Sequence, residues 1–256
     1  MNKIEIQKIG IVGAGNLAWH IAAGINNSGL DLVGVYNRTS GKAEELAARL
    51  NTKVVTNFNA FRQCDLILLL VKDDAIREMA AQLQQSKAII AHTSGNTSLE
   101  VLFPHQKTGV FYPLQTFSKD VAVNLNKVPI LVEGSTDQIE NGLYELASRL
   151  SKKVYKINSQ QRRRLHVAAG FANNFANHML KQAYDICEEN DIPFEVLSPL
   201  IKETIEKIKT VTPAQAQTGP AVRHDEKTIK IHKDLLEGSH LELYELITKD
   251  IERTYK

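Results

Sequence analysis

Cysteine is almost absent from this chain: Cys64 and Cys187 are the only two in 256 residues, with no C-x-x-C and no metal-type spacing. A disulfide framework and a dithiol redox pair are excluded, and both thiols are expected to be reduced and in the core. Long hydrophobic runs are also missing. The longest strictly apolar stretch is Leu66–Val71, far short of the ~20 residues that a membrane span needs. The start Met1-Asn2-Lys3-Ile4-Glu5 lacks the apolar core of a secretory leader. A cytoplasmic protein with no membrane partner is the expectation. Charge of one sign is not in excess: 31 Lys and Arg stand against 29 Asp and Glu, a formal +2. That balance argues against nucleic acid as the main partner. There is no H-E-x-x-H, and His224, His232 and His240 follow no metal-site spacing, so no metal is expected.

What is present is an ordinary globular composition, 43% hydrophobic and 23% charged. The pattern changes near residue 157. Before it, Ile9–Val12, Leu32–Tyr36, Lys53–Val55, Leu66–Val71, Ala88–Ala91, Gly109–Tyr112, Pro129–Val132 and Lys153–Tyr155 read as strands. Several are apolar on consecutive residues, as a sheet buried on both faces requires. Between them Leu17–Asn27, Gly41–Leu50, Asp74–Gln84 and Gln138–Leu150 carry helical periodicity. The alternation predicts an α/β fold, a Rossmann-type, mostly parallel, doubly wound sheet over residues 1–157. Residues 158–256 show long helical patterns broken at Asp191-Ile192-Pro193, Thr212-Pro213, Gly219-Pro220 and Gly238, so an all-helical C-terminal domain is expected. A helix from about Gln160 to Asn190, roughly 45 Å long at 1.5 Å per residue, is expected to lead into it.

The strongest motif is Ile9-Gly10-Ile11-Val12-Gly13-Ala14-Gly15-Asn16-Leu17-Ala18, a strand, then G-x-G-x-x-A, then an amphipathic helix. Gly13 permits the tight turn, Gly15 the approach of a pyrophosphate, and Ala18 close packing of helix on sheet. The candidate phosphate loop is therefore Gly13, Ala14, Gly15, Asn16 and Leu17. An NAD site usually places Asp or Glu at the end of the second strand, but this strand ends in Tyr36-Asn37-Arg38-Thr39-Ser40. Arg38 can pair with a 2′-phosphate and Thr39 or Ser40 can donate to it, with Asn37 beside them, so NADP(H) is favoured over NAD. The alternative is a solvated Arg38 beside a helix N-cap at Thr39 or Ser40. Val71 and Lys72 after one strand, and His92, Thr93, Ser94 and Gly95 after the next, leave carboxyl ends of strands, where ligands of open α/β sheets bind. Thr93, Ser94 and Asn96 serve equally well as turn and cap residues.

The order of these motifs, continued by Tyr112-Pro113-Leu114-Gln115-Thr116-Phe117, by His166-Val167-Ala168-Ala169 with Asn173-Asn174, and by Thr218–Asp225, resembles a bacterial family. In that family a Rossmann domain of the deazaflavin-dependent NADP oxidoreductase type precedes a helical domain of unknown function. More distantly the layout is similar to pyrroline-5-carboxylate reductase, prephenate dehydrogenase and the hydroxyacid dehydrogenases. The resemblance implies NADP binding, an active cleft between the domains and a homodimer formed through the helical half. A deazaflavin partner is implied by the family's name alone. Hydroxyacid dehydrogenases place a catalytic Lys shortly before an Asn on the interdomain helix. Here Lys181 follows Asn173-Asn174 instead, which argues against their mechanism.

His166, Gly170, Asn173 or Asn174, and Asn177 would share one face of a regular helix. On that face His166 is the candidate general acid or base, because hydride transfer must be matched by a proton and imidazole titrates near neutrality. Asn173 and Asn174 would orient the substrate. A structural interface histidine with capping asparagines is the competing account. Gln115 and Thr116 are candidates for the carboxamide or the substrate. Arg223 would suit a substrate carboxylate, or else an ion pair with Asp225. The run Arg162-Arg163-Arg164 reads as a solvated face with at least one anionic partner. Two readings follow: an NADP(H)-dependent oxidoreductase acting on a small molecule, or a nucleotide-binding regulatory or scaffold protein without turnover.

Overall fold

The computed structural model describes residues 4–255. The chain packs as two compact units, Met1–Ala169 and Gly170–Lys256, so the helix after the last strand belongs with the sheet.

The first unit is a seven-stranded sheet. Its strands are β1 (Lys8–Val12), β2 (Asp31–Tyr36), β3 (Leu66–Leu69), β4 (Ile89–His92), β5 (Thr108–Pro113), β6 (Ile130–Gly134) and β7 (Val154–Lys156), in the order β2-β1-β3-β4-β5-β6-β7. All neighbours are parallel except β5 and β6, which are antiparallel. The helices of this unit are α1 (Asn16–Asn27), α2 (Ser40–Leu50), α3 (Ile76–Ala81), α4 (Asp137–Leu150) and α5 (Ser159–Ala169). Consecutive apolar residues in the central strands serve both faces. Leu66 and Leu68 pack in one core with α1, α2 and α4, whereas Ile67 and Leu69 pack in the other with Ile76 and Met79 of α3. A run such as Leu66–Leu69, with every residue buried, is therefore what a sheet covered on both sides demands.

Two expected elements are shorter than the pattern predicts. Lys53–Val55 is reduced to a single bridge, Val35 to Val54. Asn51, in the left-handed region at φ 50°, ends α2, and Asn57 starts the next turn, which leaves room for no more. The helix expected over 74–84 is a tight turn at Asp73–Ala75 followed by α3, which closes in further tight turns, Leu83 N–H to Ala80 O and Ser86 N–H to Leu83 O. The loop after β4 leads into one 3-10 turn, Leu99–Leu102.

The second unit begins with a π-wound turn, Gly170–Phe175, and continues through α6 (Ala176–Glu189), α7 (Ser198–Lys207), α8 (Pro213–Ala216), α9 (Glu226–Asp234) and α10 (Gly238–Thr254). It leaves many large apolar side chains on its surface, among them Val196, Leu200, Ile205, Leu235 and Leu246. Among the described residues no helix is long and apolar enough to cross a membrane.

Candidate functional site

The carboxyl ends of the parallel strands carry the candidate residues. Gly13 stands at φ +119°, and a β-carbon there would lie 2.1 Å from Leu70 O, so only glycine fits the turn after β1. Its N–H donates to Tyr36 O at 2.7 Å. Gly15 differs in kind. Nothing lies within 4 Å of where its β-carbon would be, so the protein itself has no need of a glycine there. Gly15 is the N-cap of α1, with no side-chain cap and no acidic residue in the first turn. Free N–H groups and an unopposed helix dipole make this end of α1 an anion site, and the empty space at Gly15 lets an anion approach the backbone. Asn16 and Gly15 are exposed, Leu17 half-buried and Ala18 fully buried.

Asn37 braces the loop. Its Oδ1 accepts from Ala14 N–H at 3.2 Å and its Nδ2 donates to Thr39 O at 2.9 Å, so its side chain is already engaged. Thr39 is the N-cap of α2 but makes no capping bond, and α2 likewise has no acid in its first turn. Arg38, Thr39 and Ser40 are all exposed. An uncommitted guanidinium and two hydroxyls at a helix N-terminus fit a phosphate group. Val71 is half-buried and Lys72 exposed at the end of β3.

The loop after β4 turns its side chains inward. His92 is fully buried, with Nδ1 accepting from Ser94 N–H at 3.2 Å and Nε2 without a partner among the described residues. Burial, reinforced by the Arg162 charge, pushes its pKa down to about 4. His92 therefore supports the loop as a neutral ring and does not meet solvent. Thr93 Oγ1 donates to Leu69 O at 3.3 Å, and Ser94 Oγ accepts from Asn96 and Thr97 N–H at 3.1 and 2.9 Å, the turn-forming use of these residues. A β-carbon on Gly95 would stand 2.6 Å from His166 Nδ1 and 2.7 Å from Tyr112 Cζ, so glycine is what lets both rings close over the loop.

Those two rings form a pair, Tyr112 Oη to His166 Nδ1 at 2.9 Å. One turn earlier on α5, Arg162 is fully buried, which corrects the expectation of a solvated arginine face; Arg163 and Arg164 are exposed. Arg162 donates from Nε to Ser94 O at 3.1 Å and from Nη2 to Thr97 O and Ser159 Oγ, and forms an ion pair with Glu133 of β6. Ser159 Oγ donates to the same carboxylate and accepts from Leu99 N–H at 3.1 Å. Both Arg162 and Tyr112 escape sequence reasoning as site residues. No pattern tells which arginine of three consecutive ones points inward, although the four-residue spacing of Arg162 and His166 already put them on one helical face.

Past His166 the winding of the helix changes. Gly170–Phe175 winds with i→i+5 bonds, which breaks the 3.6-residue register, and Asn173 and Asn174 are exposed within that turn. Gln115 and Thr116 are exposed after β5, with Gln115 Oε1 accepting from Thr116 N–H at 2.8 Å. Their loop folds back on α1: Asn16 Nδ2 donates to Phe117 O at 3.1 Å and His20 Nε2 to Ser118 O at 2.9 Å. Arg223 is exposed, while Asp225 caps α9 through Thr228 N–H and Oγ1, bonds that hold its pKa below the usual range. Among the described residues no three His, Cys, Asp or Glu converge as a metal site would require.

Residues 8–95 match the family model described as NADP oxidoreductase coenzyme F420-dependent, and residues 128–251 match a domain of unknown function, DUF2520. A crystal structure of a candidate NADP oxidoreductase from Bacteroides fragilis is 36% identical, with a TM-score of 0.87, over 98% of this chain and all (100%) of that one. A 1-pyrroline-5-carboxylate reductase from Streptococcus pyogenes (15% identity, TM-score 0.65, 96% of this chain and 98% of that one) shares the fold. So does an imine reductase from Myxococcus stipitatus in complex with NADP+ (15%, 0.70, 96% and 93%). No curated protein matches the sequence.

Proposed function

Since this chain belongs to the family in which an NADP oxidoreductase domain of the F420-dependent type precedes the DUF2520 domain, we propose that it reduces a small carbonyl or imine compound with NADPH. It is an NADP(H)-dependent oxidoreductase. The observation that carries the cofactor assignment is Gly15: a glycine that no protein contact requires, at the uncapped N-terminus of α1. There the diphosphate would accept the free N–H groups. Arg38, Thr39 and Ser40 would hold the 2′-phosphate, and Val71, Lys72 and residues 93–95, on the loop that His92 supports from within, would flank the rest of the nucleotide. When bound, NADPH supplies the hydride. His166 supplies the matching proton from Nε2, which no described residue occupies. Gln115, Thr116, Arg223, Asn173 and Asn174 are the remaining substrate candidates; the π-wound turn that carries the two asparagines supports their inclusion, since such turns concentrate at functional sites. A glycine reserved at 95 for the Tyr112–His166 pair favours turnover over a scaffold role.

Thermal unfolding with NADPH and NADH tests this. A ligand at a hundred times its dissociation constant adds about 2.7 kcal/mol, several degrees in midpoint for a chain of this size. Arg38→Ala should weaken NADPH by about 10- to 100-fold, the worth of a charged phosphate contact of roughly 1.5–3 kcal/mol, and leave NADH unchanged. Gly15→Ala should leave the unliganded midpoint in place and abolish the NADPH shift. Equal responses to both nucleotides in Arg38→Ala and the wild type would overturn the phosphate assignment, and no shift with either would overturn cofactor binding.

A homodimer through the helical unit is part of the same reading. Val196, Leu200, Ile205 and Ile208 around α7, and Leu246 on α10, expose large apolar side chains, and exposed apolar surface is what an interface covers. Light scattering at micromolar concentration should return twice the 28.6 kDa of a single chain; a monomer would refute it.

A further inference from the structure

Tyr112 has no chemical step in the reading above, yet it touches the proposed proton donor. It stands on β5, its ring meets the His166 ring edge-on with centroids 5.9 Å apart, and its Oη lies 2.9 Å from Nδ1. The surroundings hold that contact in place. Gly95 leaves room for both rings, and the loop bearing Gly95 is tied through Ser94 O and Thr97 O to Arg162, one turn before His166. Arg162 is in turn tied to Glu133 on the strand beside β5.

The direction of the hydrogen bond follows from counting protons. A phenol has one, and among the described residues Tyr112 Oη bonds only to His166. If Nδ1–H donated to Oη, the phenol proton would have no acceptor among the described residues; if Oη–H donates to Nδ1, it is used. A phenol is also a better donor than acceptor, because its lone pair is delocalised into the ring. Burial raises the Tyr112 pKa, partly offset by Arg162, so the proton remains on oxygen at neutral pH. The neutral His166 ring then carries its own proton on Nε2, at an exposed residue where no described group takes it.

We propose that Tyr112 is the positioning partner of His166 in proton delivery: its hydroxyl fixes the ring proton on Nε2 and refills the ring through Nδ1 as that proton leaves. The proposal rests on His166 as the donor. As hydride reaches the carbon of a C=O or C=N group, the Nε2–H bond breaks and an O–H or N–H bond forms on the substrate. The Tyr112 O–H bond breaks and an Nδ1–H bond forms, leaving the negative charge on the phenol oxygen. One proton taken from water restores the pair. No imidazolium is needed at any stage.

Long-range proton–nitrogen correlation spectra of the full chain labelled with 15N-histidine test the arrangement without any substrate, with His166 identified by its absence in His166→Asn. The wild type should show a neutral ring protonated at Nε2 with the Nδ1 resonance displaced by hydrogen bonding. Tyr112→Phe, which keeps the ring and its packing, should lose that displacement. An Nδ1-protonated ring in the wild type, or a spectrum unchanged in Tyr112→Phe, overturns the proposal. NADPH oxidation with a panel of keto acids and cyclic imines supplies the second readout. For any compound reduced, Tyr112→Phe should lower kcat by about tenfold or more, within the range of general acid catalysis, with KM within about twofold. An unchanged kcat beside the expected spectrum overturns the delivery role alone. Full activity in His166→Ala overturns the donor assignment beneath it.

Discussion

Arg162→Leu should remove about 3–5 kcal/mol of stability from the sheet unit, the usual effect of withdrawing one partner from a buried ion pair. The guanidinium is fully buried, and its loss leaves the Glu133 carboxylate with Ser159 Oγ but no counter-charge and deprives Ser94 O and Thr97 O of their donors. Urea unfolding followed by Trp19, the single tryptophan, reads this directly, because Trp19 lies in the core of the same unit. The double variant Arg162→Leu/Glu133→Leu should recover part of the loss, since no carboxylate then lacks its counter-charge. A single variant within about 1 kcal/mol of the wild type would show that the network is dispensable. The same substitution should also weaken NADPH binding, as the loop 92–97 loses its anchor to α5.

Acidification gives the second large effect. His92 titrates at about 4 in the folded protein against 6.5 ordinarily, because burial and the Arg162 charge disfavour the imidazolium. Between those two values the unfolded chain holds a proton that the folded chain does not. The stability contributed by the neutral ring is complete above about pH 6.5 and falls as the pH drops towards 4, by about 3 kcal/mol over that window. His92→Asn keeps an acceptor for Ser94 N–H but cannot titrate in this range. Its unfolding free energy should decline less between pH 6.5 and 4, whatever its value at pH 7. Parallel curves for the variant and the wild type would disprove the assignment.

Much of the architecture was legible because burial on two faces leaves a simple mark. Continuous apolar runs such as Leu66–Leu69 can only be central strands once helical stretches alternate with them, and Gly13-Ala14-Gly15 between a strand and a helix fixed where the first loop lies. Arg38-Thr39-Ser40 was equally readable, since the end of the second strand is a set position in such a sheet and carries no acid here. Element ends were less so. The bridge at Val54 and the short α3 were decided by local turn hydrogen bonds that hydrophobic periodicity does not record.

The chemistry divides along the same line. Sequence alone determined the fold class and the NADP(H) assignment and nominated the Gly13–Leu17 loop, Arg38 and His166 as site candidates, since each depends on residue type at a position set by the order of strands and helices. Only the tertiary structure decided that a β-carbon at Gly15 would meet nothing while one at Gly13 would collide with Leu70 O, that Arg162 points inward, that His92 supports its loop, and that Tyr112 meets His166. Those facts depend on groups far apart in the chain, such as Tyr112 and His166 at a separation of 54 residues, coming within reach of one another. No periodicity encodes that encounter, because it arises when strands and helices distant in sequence pack together.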